Sequence, residues 1–474
     1  MKNRFNKLTS KEWLPFQKSW FYYENEQRFL TENIRFFTKA DETNSYVLYN
    51  GHSTELFNKI CDENNLKPSL FEDQNVENIQ YAIIDLRNTI TNKTKINEYL
   101  KVKQDVIDKI VSIYNKIEHR RFISIFIKNI QINNKYYPFA WDIAKEISSI
   151  LSIKDEKIAC LTEDGNKSNS NSFTPRKDLF YCLYFRKDEN SSGLYTPSNI
   201  DFFCNNNQVK SDINFENQIP FWFILKPKPR KKDEILHPAK YPEELVGMFL
   251  NEFTKENDNV FDPMSGTGST QLGAIQLKRN GYGTELSEFF SGIANKRCSE
   301  FINPTQKELF FEEKKQKFKI LNKDARLLNV DDFPVINYML TSPPYWDMLN
   351  MKGAENQAKR IKQGLQTNYS DNEQDLGNVA DYNKFLNELS DIYFNIIKIM
   401  KPGSYLTIVV KNIKKKGQNY PFAWDLSNIL QKELILLPEV FWCQDDISIA
   451  PYGYGNTWVS NTFHQYCLNF QKPL

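Results

Sequence analysis

The sequence predicts an α/β fold in which a mostly parallel sheet is covered by helices on both faces, and it predicts that this unit occurs twice in tandem. Two observations support the prediction. Regions with strand character alternate with helical regions, which is typical of parallel strands joined by helical crossovers. The chain also repeats itself, because IKNIQINNKYYPFAWDIAKEI at 127–147 matches VKNIKKKGQNYPFAWDLSNIL at 410–430 without a gap, at an offset of 283 residues.

The similarity continues in the same order on the N-terminal side and on the C-terminal side of this match. A structural element shared without common descent is the alternative to duplication, and the collinear order disfavours it. The second copy carries 26 extra residues after SPPY. The further matched pairs are FYCLYFRK (180–187) with QYCLNFQK (465–472), NIQYAIIDLRN (78–88) with VINYMLTSPPY (335–345), and, more weakly, FTKADETNSYVLYNGHST (37–54) with FTKENDNVFDPMSGTGST (253–270).

The repeat divides the chain into three parts. We expect a first copy at 1–190, a linker and basic segment at 191–233, and a second copy at 234–474. The connecting region is rich in Ser, Asn and Gly, as linkers and surface loops are. The motif YPFAWD occurs in both copies, and we expect it to serve core and turn architecture and not chemistry.

Composition excludes several function classes. The 61 basic and 59 acidic residues give a net charge of +2, so a polyanionic partner must be bound by local patches. The seven cysteines form no CxxC pair and do not cluster with the four histidines, so we expect no metal site and reduced thiols in the cytoplasm. No segment approaches the ~18 apolar residues that span a bilayer, so we expect no membrane association.

The second copy contains a strand, a glycine-bearing turn and a helix in DNVFDPMSGTGSTQLGAIQL. Gly266 and Gly268 allow a tight turn and a close approach of backbone to a ligand, next to the free N–H groups of a helix N-terminus. Glu285 follows the next strand, where a doubly wound fold places the carboxylate that binds ribose hydroxyls. Asp324 follows a third strand and is suited to accept a hydrogen bond from an adenine amino group; capping a helix is the alternative for each acid.

A fourth strand ends in TSPPYW, at 341–346. Because ligands of parallel sheets bind beyond the carboxyl ends of the strands, this turn should face the glycine turn. The two prolines lack N–H donors, which leaves the Ser342 hydroxyl and the neighbouring carbonyls as acceptors. Such acceptors suit an exocyclic amino group on a base taken out of its helix, with Tyr345 or Trp346 stacked on its face.

The segments FDPMSGTGST, TEL and TSPPYW resemble the adenosylmethionine-dependent DNA amino-methyltransferases, which modify cytosine N4 or adenine N6. The resemblance implies a Rossmann-like methyltransferase fold, S-adenosyl-L-methionine as the cofactor and double-stranded DNA with a flipped target base as the substrate. HPAKYPEEL, with His237, resembles the segment that lies against the methionine end of the cofactor. The implied roles are methionine binding for Asp262, Gly266 and Gly268, ribose binding for Glu285, adenine binding for Asp324, and the catalytic turn for Ser342, Pro343, Pro344 and Tyr345.

The chain departs from this family in two respects. Family members with SPPY usually carry it before the glycine turn, whereas here it follows, which a tandem duplication explains. The first copy has Asp85, Leu86, Arg87 and Asn88 in place of SPPY, and Tyr49–Gly51 in place of the full glycine turn, so we expect it to be decayed and to bind no cofactor. The second departure is Met264, where the family more often has Phe.

Cytosine N4 is the expected target, because Ser stands first in SPPY where adenine enzymes more often carry Asp or Asn. Adenine N6 is the alternative, guanine N2 in RNA is a weaker one, and a non-catalytic DNA-binding subunit is an alternative of another class. A cognate restriction endonuclease is the expected partner. The first copy is the candidate for DNA recognition or clamping, and the basic residues of 226–232 and 348–372 are candidates for phosphate contacts or a solvated surface.

Overall fold

The computed structural model describes most of the chain, and every structural statement below concerns the described residues. Within them, no helix combines the length and the apolar character needed to cross a membrane. The described residues are 6–39, 45–132, 135–161, 178–188, 221–226, 241–303, 316–346, 375–415, 417–445 and 459–474.

The N-terminal half forms a seven-stranded sheet with helices between the strands. Its helices are α1 (Ser10–Phe16), α2 (Glu26–Phe37), α3 (Thr54–Glu63), α4 (Ile96–Ile113) and α5 (Phe139–Ile147). Its strands are β1 (Trp20–Tyr22), β2 (Tyr46–Asn50), β3 (Lys67–Ser69), β4 (Ile79–Asp85), β5 (Ile117–Ile127), β6 (Ile130–Ile132), β7 (Lys135–Tyr137), β8 (Ser152–Cys160) and β9 (Leu179–Arg186).

The C-terminal half forms a nine-stranded sheet. Its helices are α6 (Glu243–Phe253), α7 (Ser269–Gln276), α8 (Glu288–Ile302), α9 (Tyr382–Ile399) and α10 (Phe422–Leu430). Its strands are β10 (Trp222–Ile224), β11 (Asn259–Asp262), β12 (Asn280–Glu285), β13 (Phe318–Asn322), β14 (Ile336–Thr341), β15 (Met400–Val410), β16 (Ile413–Lys415), β17 (Gln418–Tyr420), β18 (Ile435–Leu436), β19 (Val440–Cys443) and β20 (His464–Gln471).

The two sheets have the same topology. The first runs β1-β8-β9-β5-β4-β2-β3, and the second runs β10-β19-β20-β15-β14-β11-β12 and then adds β13 at its edge. The ninth strand of the second sheet, β18, pairs with β20 outside this order. In each sheet one long strand, β9 or β20, is antiparallel to its neighbours, and the other strands of this path run parallel to one another. The predicted α/β fold with a mostly parallel sheet is therefore confirmed.

Helices cover both faces of each sheet, as strands buried on two sides require. Along β4, Ala82 and Ile84 pack in one apolar cluster with α4 and α5, whereas Tyr81 and Ile83 pack in another with α2 and α3. In the second half, Met339 of β14 packs on the side of α9, and its neighbours in the strand pack on the side of α6. The alternation follows from the two-residue period of a strand.

The two halves pack against each other through a reciprocal contact. Glu439 of the second half accepts hydrogen bonds from Tyr136, Tyr181 and the Asn129 amide (2.9 Å) of the first. At the matching place, Glu156 of the first half accepts them from Asn412 (2.7 Å) and Tyr466 (2.6 Å) of the second. Such mutual contacts are the signature of an isologous, two-fold interface.

The YPFAWD motif lies at this interface. Trp141 and Trp424 stack on each other at 6.4 Å, and each indole donates a 3.0 Å hydrogen bond to the tyrosine that contacts the opposite half's buried glutamate. His464, to which the sequence assigned no role, is buried here beside Ser19, with Nδ1 and Oγ 2.8 Å apart. The motif therefore orients the halves, in agreement with the expected architectural role.

Candidate active site

The carboxyl ends of β11, β12 and β14 meet at one edge of the second sheet, because these strands are parallel, and a pocket opens there. The turn after β11 forms one wall of the pocket, and Ser342 and Pro344 after β14 form another. Glu285 from the end of β12 and Asp324 from the loop after β13 also line it. The structure thus brings together the two motifs that the sequence predicted to face each other.

The glycine turn has the backbone that the sequence predicted. Gly266 and Gly268 have φ values of 51° and 77°, in the left-handed region that side chains other than glycine rarely adopt. A Cβ atom at Gly268 would also lie 2.8 Å from the Cβ of Ala294 in α8. Only glycine therefore allows the turn to pack against α8 and begin α7.

Asp262 joins the glycine turn to the catalytic turn. Its Oδ1 accepts hydrogen bonds from the Met264 amide (3.0 Å) and the Thr341 hydroxyl (2.7 Å). Its Oδ2 accepts them from Tyr241 (3.0 Å) and Thr270 (2.9 Å). Burial raises the pKa of this carboxyl, and the four donors oppose that rise. Asp262 lines the pocket, and these bonds fix the distance between the two motifs. Its contact with the cofactor stays a prediction.

Glu285 supports the backbone of the glycine turn. One carboxylate oxygen accepts from the Gly266 amide (2.7 Å) and the other from the Ser287 amide (2.9 Å). Burial raises its pKa to about 7, although the two backbone donors favour the charged form. Each oxygen keeps lone pairs beyond these single bonds, so the side chain retains the capacity to accept from ribose hydroxyls.

Asp324 combines the two roles that the sequence left open. It lines the pocket, and it also caps the short 3₁₀ helix Ala325–Leu327 by accepting from the Arg326 amide (2.9 Å). The Arg326 guanidinium forms an ion pair with it at 2.7 Å. Burial would raise its pKa, but the bonds from Arg326 prevail and lower it. The carboxylate is therefore ionised and oriented before any ligand arrives.

The catalytic turn is held by a hydrogen-bond chain. The hydroxyls of Ser342 and Tyr345 lie 3.2 Å apart, and Tyr345 donates to Gln465 Oε1 at 2.7 Å. Since the Tyr345 proton points to Gln465, Ser342 must be the donor in the first contact, which leaves its lone pairs free. Lys411 lies with its ammonium 5.4 Å from the centre of the Tyr345 ring, and burial lowers its pKa to about 8.

The burial of Pro343 and Trp346 shows which residues of the turn can reach a ligand in the pocket. Pro343 is buried while Pro344 faces the pocket. Trp346 has a φ of 47° and is 4% exposed, packed against Tyr382 and Tyr420. The Trp346 face is thus covered by protein, and Tyr345 is the aromatic residue left for stacking on a base.

The residues that line the pocket have the chemistry that a nucleotide cofactor requires. The Ser269 hydroxyl lines it, at the N-terminus of α7, and is buried without a hydrogen-bond partner among the described residues. Buried polar groups in native proteins are normally paired, so this hydroxyl and the nearby helix N-terminus fit a ligand's anionic group. Glu285 and Asp324 supply the acceptors that a ribose and an adenine need. These residues fit S-adenosylmethionine.

The corresponding edge of the first half is filled. Arg87 forms ion pairs with Asp85 (2.5 Å) and Glu26 (2.8 Å) and lies over the ring of Phe180, at 4.7 Å. A Cβ atom at Gly51 would lie 2.5 Å from the Tyr49 hydroxyl. These contacts favour the prediction that this half binds no cofactor, which stays a prediction.

One cluster in the first half has metal-ligand residue types. The ligand atoms of Glu26, His52 and Asp85 lie within 4.8 Å of one another. Arg87 already supplies the positive charge between the two carboxylates. The expectation of no metal site stays a prediction.

Several predicted contacts fall outside the described residues. These are His237, the basic residues after Lys226 in 226–232, and the whole segment 348–372. Sequence reasoning also missed four residues that the structure brings to the site, although all four stood inside segments already quoted. The missed residues are Tyr241, Ser269, Thr341 and Gln465.

The fold and the pocket define an α/β protein with a nucleotide-cofactor site at the carboxyl edge of a parallel sheet. A family model described as DNA methylase, for methylation at N6 or N4, matches residues 49–296, just over half of the chain. The chain therefore belongs to this family, whose cofactor is S-adenosylmethionine. The match includes the glycine turn and Glu285 and ends before Asp324 and TSPPY.

Curated relatives are Type II or orphan methyltransferases. M.BamHII of Bacillus amyloliquefaciens is 39% identical over 66 residues, 14% of this chain and 25% of the relative. M.MjaI of Methanocaldococcus jannaschii is 30% identical over 138 residues, 27% of this chain and 44% of the relative. M2.MboI of Moraxella bovis is 28% identical over 132 residues, which are 28% of this chain and 48% of the relative. The matched regions thus span less than half the length of each relative.

Solved structures of methyltransferases resemble the chain only distantly. TrmN from Thermus thermophilus covers 79% of this chain and 67% of its own length, with 11% identity and a TM-score of 0.31. NodS from Bradyrhizobium japonicum, in complex with S-adenosyl-L-homocysteine, covers 49% of this chain and 86% of its own length, with 9% identity and a TM-score of 0.30.

Proposed function

We propose that the protein transfers a methyl group from S-adenosylmethionine to the N4 amino group of a cytosine in double-stranded DNA, with the target base flipped into the site. The observation that carries the proposal is the chain from Ser342 through Tyr345 to Gln465. It directs the hydroxyl protons away from the pocket, so that Ser342 presents lone pairs to a donor. An exocyclic amino group is such a donor.

The residues of the catalytic turn would act by position and polarisation. Ser342 and the Pro343 carbonyl accept hydrogen bonds from the amino group, which makes its lone pair available for attack, while Tyr345 packs on the face of the base. Bound S-adenosylmethionine supplies an electrophilic methyl group on a sulfonium. Asp262 fixes the glycine turn relative to the catalytic turn, so the approach of the two reactants is set before they bind.

The target base is tested by isotope labelling. The purified protein is incubated with unmethylated DNA and labelled S-adenosylmethionine, and the DNA is digested to nucleosides for mass spectrometry. Label in N4-methylcytosine is the expected result. Label in N6-methyladenine would keep the mechanism and change the base, and label in RNA alone would contradict a DNA substrate.

A non-catalytic DNA-binding subunit is the alternative from another class. Ser269, Glu285 and Asp324 argue against it, because a decayed site has no need for an orphan hydroxyl and two oriented acids. Calorimetric titration with S-adenosylmethionine separates the two functions. Binding is expected, and a protein that binds DNA without binding this cofactor is the non-catalytic subunit.

We also propose that the halves descend from a tandem duplication and that the first half has exchanged catalysis for DNA recognition or clamping. The matching strand order and the filled edge at Arg87 support this. The names of several relatives as Type II methyltransferases favour a cognate restriction endonuclease. Digestion of DNA from cells that express this protein, by nucleases encoded beside its gene, tests the pairing: protected sites are expected.

A further inference from the structure

A second cavity of about 550 Å³ lies at the seam between the halves, away from the pocket described above. We call it the seam groove. Trp20, Phe21 and Tyr22 line it from β1, and Lys157 lines it from β8. Trp20 is buried, and Phe21 and Tyr22 are half-buried on opposite faces of the strand. Ile224 and Lys226, at the end of β10, close it from the second half. Tyr22 also contacts Trp222 edge-on at 5.7 Å, which ties the two edge strands together.

Among the described residues that line the seam groove, four basic side chains stand against three carboxylates. Its three carboxylates are engaged, because Glu24 and Glu32 pair with Arg28, and Asp445 pairs with Lys18. Within the described part of the chain, no carboxylate forms an ion pair with Lys157 or with Lys226. Lys157 is 2% exposed, donates to the Phe16 carbonyl at 2.7 Å and lies 3.5 Å from the centre of the Phe16 ring.

The groove and the catalytic turn lie at the same edge of the molecule. Strand β10 is parallel to β19, and β19 and β15 are both antiparallel to β20, so β10 and β14 run in the same direction. Lys226 and Ser342 therefore both follow carboxyl ends. Four strand spacings separate β14 from β10, which is about 19 Å at ~4.8 Å per strand. A DNA segment of about six base pairs spans that distance at ~3.4 Å per step.

We propose that the seam groove binds an unpaired nucleotide of the DNA substrate, with the base stacked on the half-buried ring of Tyr22 and the phosphate at the exposed Lys226. This rests on the proposed function, and it requires that the duplex also opens at the groove, about six base pairs from the flipped base at ~3.4 Å per step. Aromatic platforms beside basic side chains are the means by which proteins hold unpaired strands. They suit unpaired nucleotides because the faces of paired bases are covered by their neighbours.

The proposal is tested first by direct binding. A fluorescent single-stranded deoxyoligonucleotide of twelve bases is titrated with the parent, Tyr22→Ala, Tyr22→Phe and Lys226→Glu, and with Lys59→Glu on α3 as the charge control. Tyr22→Ala and Lys226→Glu should each weaken binding about tenfold. Because Lys226 is exposed, the Lys226→Glu protein should also have the same thermal stability as the parent. Tyr22→Phe and Lys59→Glu should bind like the parent. Equal binding by all five proteins, or tighter binding of an RNA of the same sequence, overturns the proposal.

Photo-crosslinking locates the contact independently. The same oligonucleotide carries 5-iododeoxyuridine, and crosslinked peptides are identified after trypsin digestion. The peptide 19–28, SWFYYENEQR, should carry the crosslink, and crosslinks only to other peptides overturn the assignment. Methyl transfer is measured in parallel. Crosslinking at this peptide without methylation of DNA would support the groove proposal and contradict the proposed function. Methylation of DNA without this crosslink would support the proposed function and contradict the groove proposal.

Discussion

The carboxyl edges of the two sheets have the same strand order and different contents. In the second half, the strand ends surround a pocket, and two acids and the Ser269 hydroxyl, which has no partner in the described part of the chain, line it. In the first half, Arg87 and its two carboxylate partners occupy the equivalent edge, at the end of the strand that matches β14. The comparison teaches that one strand order can surround a pocket or a filled edge, because apolar burial holds the helices and strands while a few turn residues decide what lies at their ends.

The largest expected effect in the second half follows from Gly268→Asp. The new side chain requires a Cβ atom 2.8 Å from Ala294 at a φ of 77°, so the turn must move and S-adenosylmethionine binding should fall by about 10³-fold or more. Calorimetric titration measures it. Gly292→Asp is the matched control, because a Cβ atom there meets nothing within 4 Å. Cofactor binding by Gly268→Asp equal to that of the control contradicts the assigned turn.

Removing the acceptor of the catalytic turn should slow transfer and spare cofactor binding. Ser342→Ala is expected to lower kcat by roughly 10²-fold, the usual cost of one well-placed polar group. Single-turnover transfer and cofactor titration, made on the same preparation, separate the two effects. An unchanged kcat would falsify the role of Ser342. A loss of cofactor affinity would show that Ser342 acts in cofactor binding and not in the transfer step.

The pH dependence of cofactor affinity should report on Glu285. Its pKa of about 7 means that the carboxyl gains a proton, and loses acceptor capacity, as the pH falls below neutrality. If the ionised form alone accepts from the ribose, affinity should fall about tenfold between pH 8 and pH 6. Glu285→Gln should bind more weakly and show a flat profile over this range. A parent protein with a flat profile contradicts ribose binding by the carboxylate.

The smallest effect on the reaction is expected in the first half. Arg87→Ala leaves Asp85 and Glu26 with uncompensated negative charge, so the free energy of unfolding should fall by about 3 kcal/mol. The methyl-transfer rate per folded molecule should match the parent, since Arg87 lies outside the half that holds the proposed catalytic turn. Denaturant unfolding and single-turnover transfer measure the two quantities. A stable but inactive Arg87→Ala protein would break the contrast between the two edges.

The sequence by itself determined the fold class and the repeat, and it predicted the main site residues. Strand periodicity and glycine turns depend on neighbours in the chain, so Gly266, Gly268, Glu285 and Ser342 could be proposed from local pattern. Tertiary structure decided what the pattern could not. It buried Trp346 away from the pocket, and it brought Gln465 to Tyr345 from 120 positions along the chain. Such contacts form when distant strands pair, and no local pattern encodes them.

The same reason explains the seam between the halves. Glu156 and Glu439 stand 283 positions apart in a repeat that the sequence displays, but only the packed structure makes each accept from the opposite half. Their burial is tolerated because the partners that pair with them arrive from the other sheet. The seam groove arises in the same way, from two edge strands that approach each other only when both halves have folded.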